Sequence, residues 1–135
     1  MREILFRAKD CIHQQWFYGW YFYTPEFTWS QHNIISAKDW MNVKTVNPET
    51  VGQYTGLTDK NGVKIFEGDI IHGKLGNFVV RWSESICSFV AGEKEKMQPC
   101  MNSGTMNCCE VIGNIHDNPE LLGSNIHKVK TAESE

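Results

Sequence analysis

The feature that most constrains the fold is an almost wholly aromatic run, WFYGWYFY, at residues 16–23. Aromatic side chains are enriched in strands, where they pack against cross-strand neighbours, and they lose rotamer freedom in helices. Successive residues of a strand point to opposite faces, so this run would carry aromatic side chains on both faces. We predict a strand that fills a core with one face and needs a cover for the other.

The rest of the sequence has the pattern of short strands joined by turns. Residues 4–8 and 77–82 alternate with the period of two that strands require, and no segment sustains the helical period. The Asn-Gly pair in DKNG, residues 59–62, predicts a hairpin turn, and NPELL, residues 118–122, predicts one helical turn. Residues 92–105 have no period and are predicted to form a long loop. We therefore predict an all-β fold with almost no helix.

The chain is predicted to fold as two β parts and a tail. A turn at Asn47 and Pro48 marks the boundary, because the residue before a proline is pushed away from the helical region. Residues 1–47 would form an N-terminal aromatic-rich β subdomain, residues 48–122 a C-terminal β subdomain of hairpins, and residues 123–135 a loose polar tail. The second half is expected to be bent and barrel-like, since the glycine of the segment EGDII permits a bulge.

Charge and cysteine content limit the classes of partner. The net charge is −3 over 135 residues, which counts against a constitutive nucleic-acid binder because phosphate contacts need a cationic surplus. No apolar run approaches the roughly 20 residues that cross a bilayer, so we expect no membrane association. Five cysteines without a regular framework or a secretion signal predict reduced thiols in the cytoplasm of a host cell.

Glu67 and Asp69 are candidates for an acid–base or metal-binding pair, because alternate residues of a strand share a face. No third ligand lies at a recognisable spacing, and Asp69 can instead hydrogen-bond a neighbouring turn. We interpret the pair as structural and expect no catalytic residue.

Zinc and thiol chemistry have weak support in the sequence. A zinc site can be assembled on paper from Cys100, Cys108, Cys109 and His116, but the chain has no Cys-x-x-Cys pair. Adjacent cysteines on a strand point to opposite faces, so Cys108 and Cys109 cannot both turn inward without a kink. Nothing singles out one cysteine as a nucleophile, and no phosphate-binding glycine loop occurs. We expect no metal, no cofactor and no enzymatic activity, and we keep an enzyme as a third hypothesis.

The chain resembles the YopX family of phage and prophage proteins in three stretches. They are MREILFRA at residues 1–8, PETVGQYTGLTDKNG at residues 48–62 with IFEGDII at residues 65–71, and EVIGNIHDNPELL at residues 110–122. Their order and spacing cover both ends and the middle of the chain before its polar tail. The resemblance implies an all-β fold and a gene carried by a phage, a prophage or another mobile element, and it implies no activity.

The aromatic run is the leading functional candidate. Its expected interface residues are Trp16, Tyr18, Trp20, Tyr21 and Tyr23. We expect a non-catalytic accessory protein that forms homo-oligomers through this run, because an exposed strand with aromatic residues on both faces associates unless it is covered. Two alternatives stay open: a monomer in which residues 24–38 cover the run, and a nucleic-acid-binding module that stacks bases on the aromatic side chains.

Overall fold

The fold is all-β, as the sequence predicts. A computed structural model describes residues 2–25, 30–74, 76–92 and 108–122. These residues form ten strands and two short turns of 3-10 helix, and they contain no α-helix. The predicted tail, residues 123–135, and all but the first residue of the predicted long loop lie outside the described residues. Neither helical turn of the described chain has the length or the apolar character to cross a membrane.

The chain divides into two compact units, Met1–Gly56 and Leu57–Glu135. The division falls inside strand β5 (Gly52–Thr58), which follows a 3-10 turn at Pro48–Thr50. Asn47 caps that turn, and its side-chain oxygen accepts a backbone hydrogen bond inside the turn at 3.1 Å. The turn predicted at this point is confirmed, and the subdomain boundary predicted there stays a prediction about which parts fold on their own.

The strands of the first unit form an antiparallel sheet in the order β4-β3-β2-β1-β5. Its elements are β1 Phe6–Lys9, β2 Trp16–Pro25, β3 Ser30–Ser36, β4 Val43–Thr45, the 3-10 turn Pro48–Thr50 and the first part of β5. The aromatic run lies in β2, which pairs with β1 on one side and with β3 on the other. The predicted aromatic strand is therefore confirmed, and in the strand order it lies between β1, which pairs with Trp16–Gly19, and β3, which pairs with Gly19–Pro25.

The sheet of the first unit is curved, and the end of β1 meets the end of β4. Asp10, directly after β1, forms an antiparallel bridge with Val46, directly after β4. Beside this bridge the Cys11 N–H donates to the Thr45 carbonyl oxygen at 3.0 Å. Because of the curl the sheet has an inner face, which encloses a core, and an outer face on the convex side.

The inner face holds the core of the first unit. Ala8, Ile34 and Val46 are at most 1% exposed, and Phe17 and Tyr21 pack against them. Ala8 lies opposite Phe17 on the neighbouring strand, and Ile34 lies opposite Tyr21. Residues that lie opposite each other share a face of the sheet. One face of the aromatic strand therefore fills a core, as predicted.

Strand β3 lies beside β2 and does not form a layer over it. The two strands pair residue by residue, from Gly19 opposite Ser36 to Pro25 opposite Ser30. A paired strand extends a sheet sideways, so β3 covers neither face of the aromatic strand. Residues 26–29, which also belong to the proposed cover, lie outside the described residues.

The second unit contains an antiparallel sheet with the strand order β10-β7-β8-β9. The elements of this unit are the last part of β5, β6 Lys64–Phe66, β7 Asp69–Gly73, β8 Gly76–Ser83, β9 Ser88–Ala91, β10 Glu110–Asn114 and a 3-10 turn Pro119–Leu122. Ile65, Ile71, Val80 and Ala91 are at most 3% exposed and form its core. The hairpins and the helical turn that the sequence predicts in this half are confirmed.

The described strands of the second unit form an open sheet, so its predicted barrel-like form is not found there. β9 and β10 stand at the two ends of the strand order. A bulge between Val111 and Gly113 bends β10. Gly68, from which the sequence pattern predicted a bulge, lies instead in the short turn between β6 and β7.

The predicted hairpin turn at residues 59–62 is confirmed between β5 and β6. The Gly62 N–H donates to the Asp59 carbonyl oxygen at 3.0 Å. Gly62 has a φ of 80°, whereas Asn61 is not among the residues with positive φ. The turn therefore needs a residue that tolerates the left-handed region at one position, Gly62.

Replacing Gly62 with valine should lower the free energy of unfolding by about 1–2 kcal/mol, because a β-branched residue is strained at positive φ. The Cβ position has no heavy atom within 4 Å, so this cost comes from the backbone alone. Asn61→Val, in the same turn, is the matched control. Urea unfolding measures both variants, and equal stabilities would contradict the assigned turn.

Candidate functional site

The outer face of β2 carries the aromatic side chains that the core does not use. Trp16, Tyr18, Trp20 and Phe22 alternate along the strand with the inner-face residues. Tyr18 is 43% exposed and Trp20 is 49% exposed. Apolar surface left in water is unfavourable by about 25 cal/mol per Å². The outer face therefore offers apolar area that a partner can bury.

Strand pairing places apolar neighbours beside Trp20. Trp20 lies opposite Ile35 on β3, and Ile35 lies opposite Val43 on β4. These side chains form a row across the outer face, because residues opposite each other share a face. Val43 is 46% exposed, and Ile35 is partly buried. We call Tyr18, Trp20, Ile35 and Val43 the outer apolar patch.

Two cations hold Trp16 at one end of the outer face. Arg7 and Lys9 lie on β1, opposite Tyr18 and Trp16. The guanidinium carbon of Arg7 lies 4.5 Å from the centre of the Trp16 ring, and Lys9 Nζ lies 5.5 Å from it. These distances are within the range of cation–π attraction. Arg7 is only 7% exposed, so its guanidinium group is largely shielded from solvent.

Tyr21 and Tyr23 lie on the inner face, where His32 joins them. The Tyr21 hydroxyl and His32 Nδ1 form a hydrogen bond, and the two rings stack with their centroids 5.8 Å apart. The centroid of the Tyr23 ring lies 4.9 Å from that of His32. Tyr21 also contacts Phe6, which packs on the core. Tyr21 is thus tied into the core, whereas Tyr23 remains 47% exposed.

The five interface residues predicted from the sequence are divided between the two faces of the sheet. Trp16, Tyr18 and Trp20 lie on the outer face, and Tyr21 and Tyr23 lie on the inner face. The five side chains therefore do not form one surface. Tyr18 and Trp20, which are both exposed, belong to the outer apolar patch.

A turn between β3 and β4, which the sequence pattern did not mark as functional, exposes two large apolar residues. Trp40 is 75% exposed and Met41 is 74% exposed. Ser36 Oγ accepts the N–H groups of Lys38 and Asp39 at 3.1 and 3.3 Å. Asp39 Oδ1 accepts the Met41 N–H at 3.0 Å. The segment SAKD is the signal for this turn, because serine and aspartate side chains readily bond nearby backbone N–H groups.

Backbone hydrogen bonds fix this turn beside the outer apolar patch. The Ala37 N–H donates to the Tyr18 carbonyl oxygen at 3.1 Å, and the Ser36 N–H donates to the Asn42 carbonyl oxygen at 2.8 Å. Val43, a member of the patch, follows directly after the turn. The turn therefore lies next to the patch in the fold of the first unit.

Asp69 has the structural role that the sequence predicts. It is 1% exposed, and its Oδ2 accepts the Phe66 N–H at 2.7 Å. That bond closes the turn between β6 and β7, in which Glu67 is partly buried. The expectation that Glu67 and Asp69 share a strand face is wrong, because β7 begins only at Asp69.

No group of three or more His, Cys, Asp and Glu side chains in the described part of the chain is arranged to hold a metal ion. Cys11, Cys87, Cys108 and Cys109 are free thiols, and Cys100 lies outside the described residues. Burial, and then the neighbouring Cys108, raise the pKa of the Cys109 thiol. A raised pKa disfavours the reactive thiolate, so Cys109 is not poised as a nucleophile.

Comparison with known proteins agrees with the architecture of the chain. No curated protein matches its sequence. Its fold is similar to the crystal structure of protein EF1440 from Enterococcus faecalis, with a TM-score of 0.55 and 25% identity over 90% of this chain and 99% of that chain. The family model described as YopX protein matches residues 5–123 of the 135. The chain therefore belongs to the YopX family.

Proposed function

We propose that this YopX-family chain is a non-catalytic accessory protein of a phage or prophage and acts as a self-association module. The observation that carries the proposal is the outer apolar patch, which is exposed on a sheet whose inner face holds the core. The origin in a mobile element is proposed from the family resemblance. The contact is proposed to include Tyr18 and Trp20.

The distribution of exposed apolar side chains supports this proposal. Among the described residues, most exposed large hydrophobic side chains belong to the first unit; they include Tyr18, Trp20, Val43, Trp40 and Met41. A contiguous exposed apolar surface on a globular protein marks a protein contact. Aromatic residues and methionine are also enriched in the cores of such contacts. A second copy of the same chain is the commonest partner in symmetric assemblies.

The pairing of β2 indicates which atoms would make the contact. β1 pairs with Trp16–Gly19 of β2, and β3 pairs with Gly19–Pro25 on the other side, so the two partner strands overlap only at Gly19. The proposed contact uses the exposed side chains of Tyr18 and Trp20 on the outer face, and not the β2 backbone. For this reason substitutions of exposed side chains should separate the copies without disturbing the sheet.

Nucleic-acid binding is the second candidate, because Arg7 and Lys9 share the outer face with Tyr18 and Trp20. Exposed aromatic side chains beside cations are typical of surfaces that bind single strands. The engagement of both cations with Trp16 and the net charge of −3 count against it. A gel-shift series with single-stranded DNA tests it, and binding that weakens steadily as salt rises would favour this candidate.

The double variant Tyr18→Ser, Trp20→Ser is expected to have a lower solution mass than the wild type. Light scattering should give the wild type a mass above that of one chain, 15.5 kDa, and the variant a mass near it. Removal of two aromatic side chains from an interface core should raise the dissociation constant by at least about 30-fold. The dichroism spectrum should stay that of a β protein, because both residues are exposed.

Tyr23→Ser is the matched control for this experiment. Tyr23 lies on the same strand as Trp20 with a similar exposure, 47% against 49%, but on the inner face. If the solution mass of Tyr23→Ser equals that of the wild type and the double variant has a lower solution mass, the contact lies on the outer face. Loss of mass in Tyr23→Ser alone would move the contact to the inner face. A wild-type mass of 15.5 kDa at every concentration would refute self-association.

A further inference from the structure

We propose that the turn between β3 and β4 anchors a two-fold symmetric dimer, in which Trp40 and Met41 of each copy pack against the outer apolar patch of the other. This inference rests on the proposed self-association. It places the strongest part of the contact outside the aromatic run and assigns a symmetry to the assembly.

The turn is ordered before any partner binds. The Ser36 hydroxyl and the Asp39 carboxylate bond backbone N–H groups within it, and the Ser36 N–H bonds the Asn42 carbonyl oxygen. Trp40 and Met41 are nevertheless about three-quarters exposed, at 75% and 74%. Binding would therefore bury these side chains with little loss of backbone entropy, which is the condition under which an apolar anchor contributes most.

The turn and the patch together have the size of an interface core. The exposed fractions of Tyr18, Trp20, Trp40, Met41 and Val43 lie between 43% and 75%. For large side chains these fractions correspond to roughly 500 Å² in all. A standard interface buries about 800 Å² on each partner, part of which is a polar rim. The turn alone and the outer apolar patch alone each fall well short of this area, so a stable dimer requires the turn and the patch together.

The charges on this surface favour a second copy over an acidic or phosphate-bearing partner. The residues of the outer apolar patch and both anchors are uncharged, so a two-fold contact centred on them does not oppose like charges there. The cations of the outer face, Arg7 and Lys9, lie against the Trp16 ring and would be outside that centre. Lys38 and Asp39 precede the anchors with opposite charges. Across a two-fold axis, Lys38 of one copy can therefore lie near Asp39 of the other at the rim. An acidic partner would instead need a cationic surplus, which this turn does not have.

The variant Trp40→Ser, Met41→Ser tests the inference in a concentration series measured by sedimentation equilibrium. We expect the dissociation constant of a wild-type dimer to rise by about 30-fold or more, since residues of this kind dominate interface energies. Ile12→Ser is the matched control, because Ile12 is 84% exposed on another turn of the same unit. Its dissociation constant should equal that of the wild type.

Four outcomes separate this inference from the proposed function. A dimer that resists Trp40→Ser, Met41→Ser but dissociates with Tyr18→Ser, Trp20→Ser would overturn the anchor and leave self-association standing. A wild-type monomer would overturn both proposals, and an assembly of three or more chains would overturn the two-fold symmetry. If Ile12→Ser raises the dissociation constant as much as Trp40→Ser, Met41→Ser does, the effect is not specific to the turn. Thermal unfolding verifies that each variant is folded. If the double variant Trp40→Ser, Met41→Ser is not folded, the single variant Trp40→Ser is used in its place.

Discussion

Replacing Gly19 with alanine is expected to unfold the first unit. A Cβ at this position would lie 1.7 Å from the Ile35 carbonyl oxygen, 2.7 Å from the Ile35 carbonyl carbon and 2.9 Å from the Ala37 nitrogen. All three atoms belong to the backbone beside β2, so no side-chain rotation can make room. The strands would have to separate, which places the loss at about 4 kcal/mol or more, comparable with the whole stability of a small domain.

Gly56→Ala is the matched control for this prediction. Gly56 has a φ of 89°, but a Cβ there has no heavy atom within 4 Å. Alanine at Gly56 should therefore cost only about 1 kcal/mol, from the left-handed backbone. Far-ultraviolet dichroism and urea unfolding compare the two variants. If Gly19→Ala folds as stably as Gly56→Ala, the register that sets Gly19 opposite Ser36 is incorrect.

The aromatic strand could be predicted from the sequence because its signal is local. Eight neighbouring residues that favour strands need no distant contact to be recognised. The faces of this strand could not be told apart in the same way. Alternation separates Tyr18 and Trp20 from Phe17 and Tyr21, but only the pairing with Ala8 and Ile34 decides which set is buried.

The sequence pattern does not indicate the exposed turn with Trp40 and Met41, because these residues are apolar and yet lie at the surface. Large apolar residues are usually buried, so a tryptophan next to a methionine does not mark a solvent-exposed tip. Their exposure depends on the side-chain bonds of Ser36 and Asp39, which close the turn before β4 begins at Val43. Such bonds depend on a few polar atoms and leave the hydrophobic pattern unchanged.

The curl of the first unit and the open sheet of the second depend on contacts between distant parts of the chain. Asp10 meets Val46 through a bridge that no local motif announces. Likewise, the Asp59 carboxylate bonds the Val111 N–H, 52 residues away. The glycine of EGDII predicted a bend in the chain, and the chain does bend at Gly68. That bend belongs to a turn, however, and the bulge lies in β10. Periodicity cannot predict these features, because it describes only neighbours along the chain.

Asp59→Asn is expected to destabilise the second unit by about 2–3 kcal/mol. The carboxylate is 4% exposed; its Oδ1 accepts the N–H groups of Asn61 at 2.8 Å and Val63 at 2.9 Å, and its Oδ2 accepts the Val111 N–H at 2.9 Å. An asparagine has one oxygen, so its NH₂ group would face a backbone N–H and leave a buried donor unsatisfied. Urea unfolding measures the loss, and Asp39→Asn, at an exposed aspartate that accepts one N–H, should be close to the wild type.

The same contacts predict how stability depends on pH. Burial acts to raise the pKa of Asp59, but the N–H groups of Val111, Val63 and Asn61 outweigh it, so the pKa lies below its ordinary value of 3.8. A carboxyl group whose pKa is lowered by folding stabilises the folded state above its unfolded pKa. It loses that contribution as the pH falls through the folded pKa. Wild-type stability should therefore decline when the pH is lowered below about 4.

A comparison of slopes assigns this acid sensitivity to Asp59. Urea unfolding of the wild type, Asp59→Asn and Asp39→Asn between neutral pH and the acid range should give the smallest decline for Asp59→Asn, because that variant has no carboxyl group to protonate at this position. Some decline should remain, since the His13 N–H and other backbone groups also lower the pKa of Asp10. Parallel slopes for the wild type and Asp59→Asn would mean that Asp59 does not link β10 to the hairpin turn.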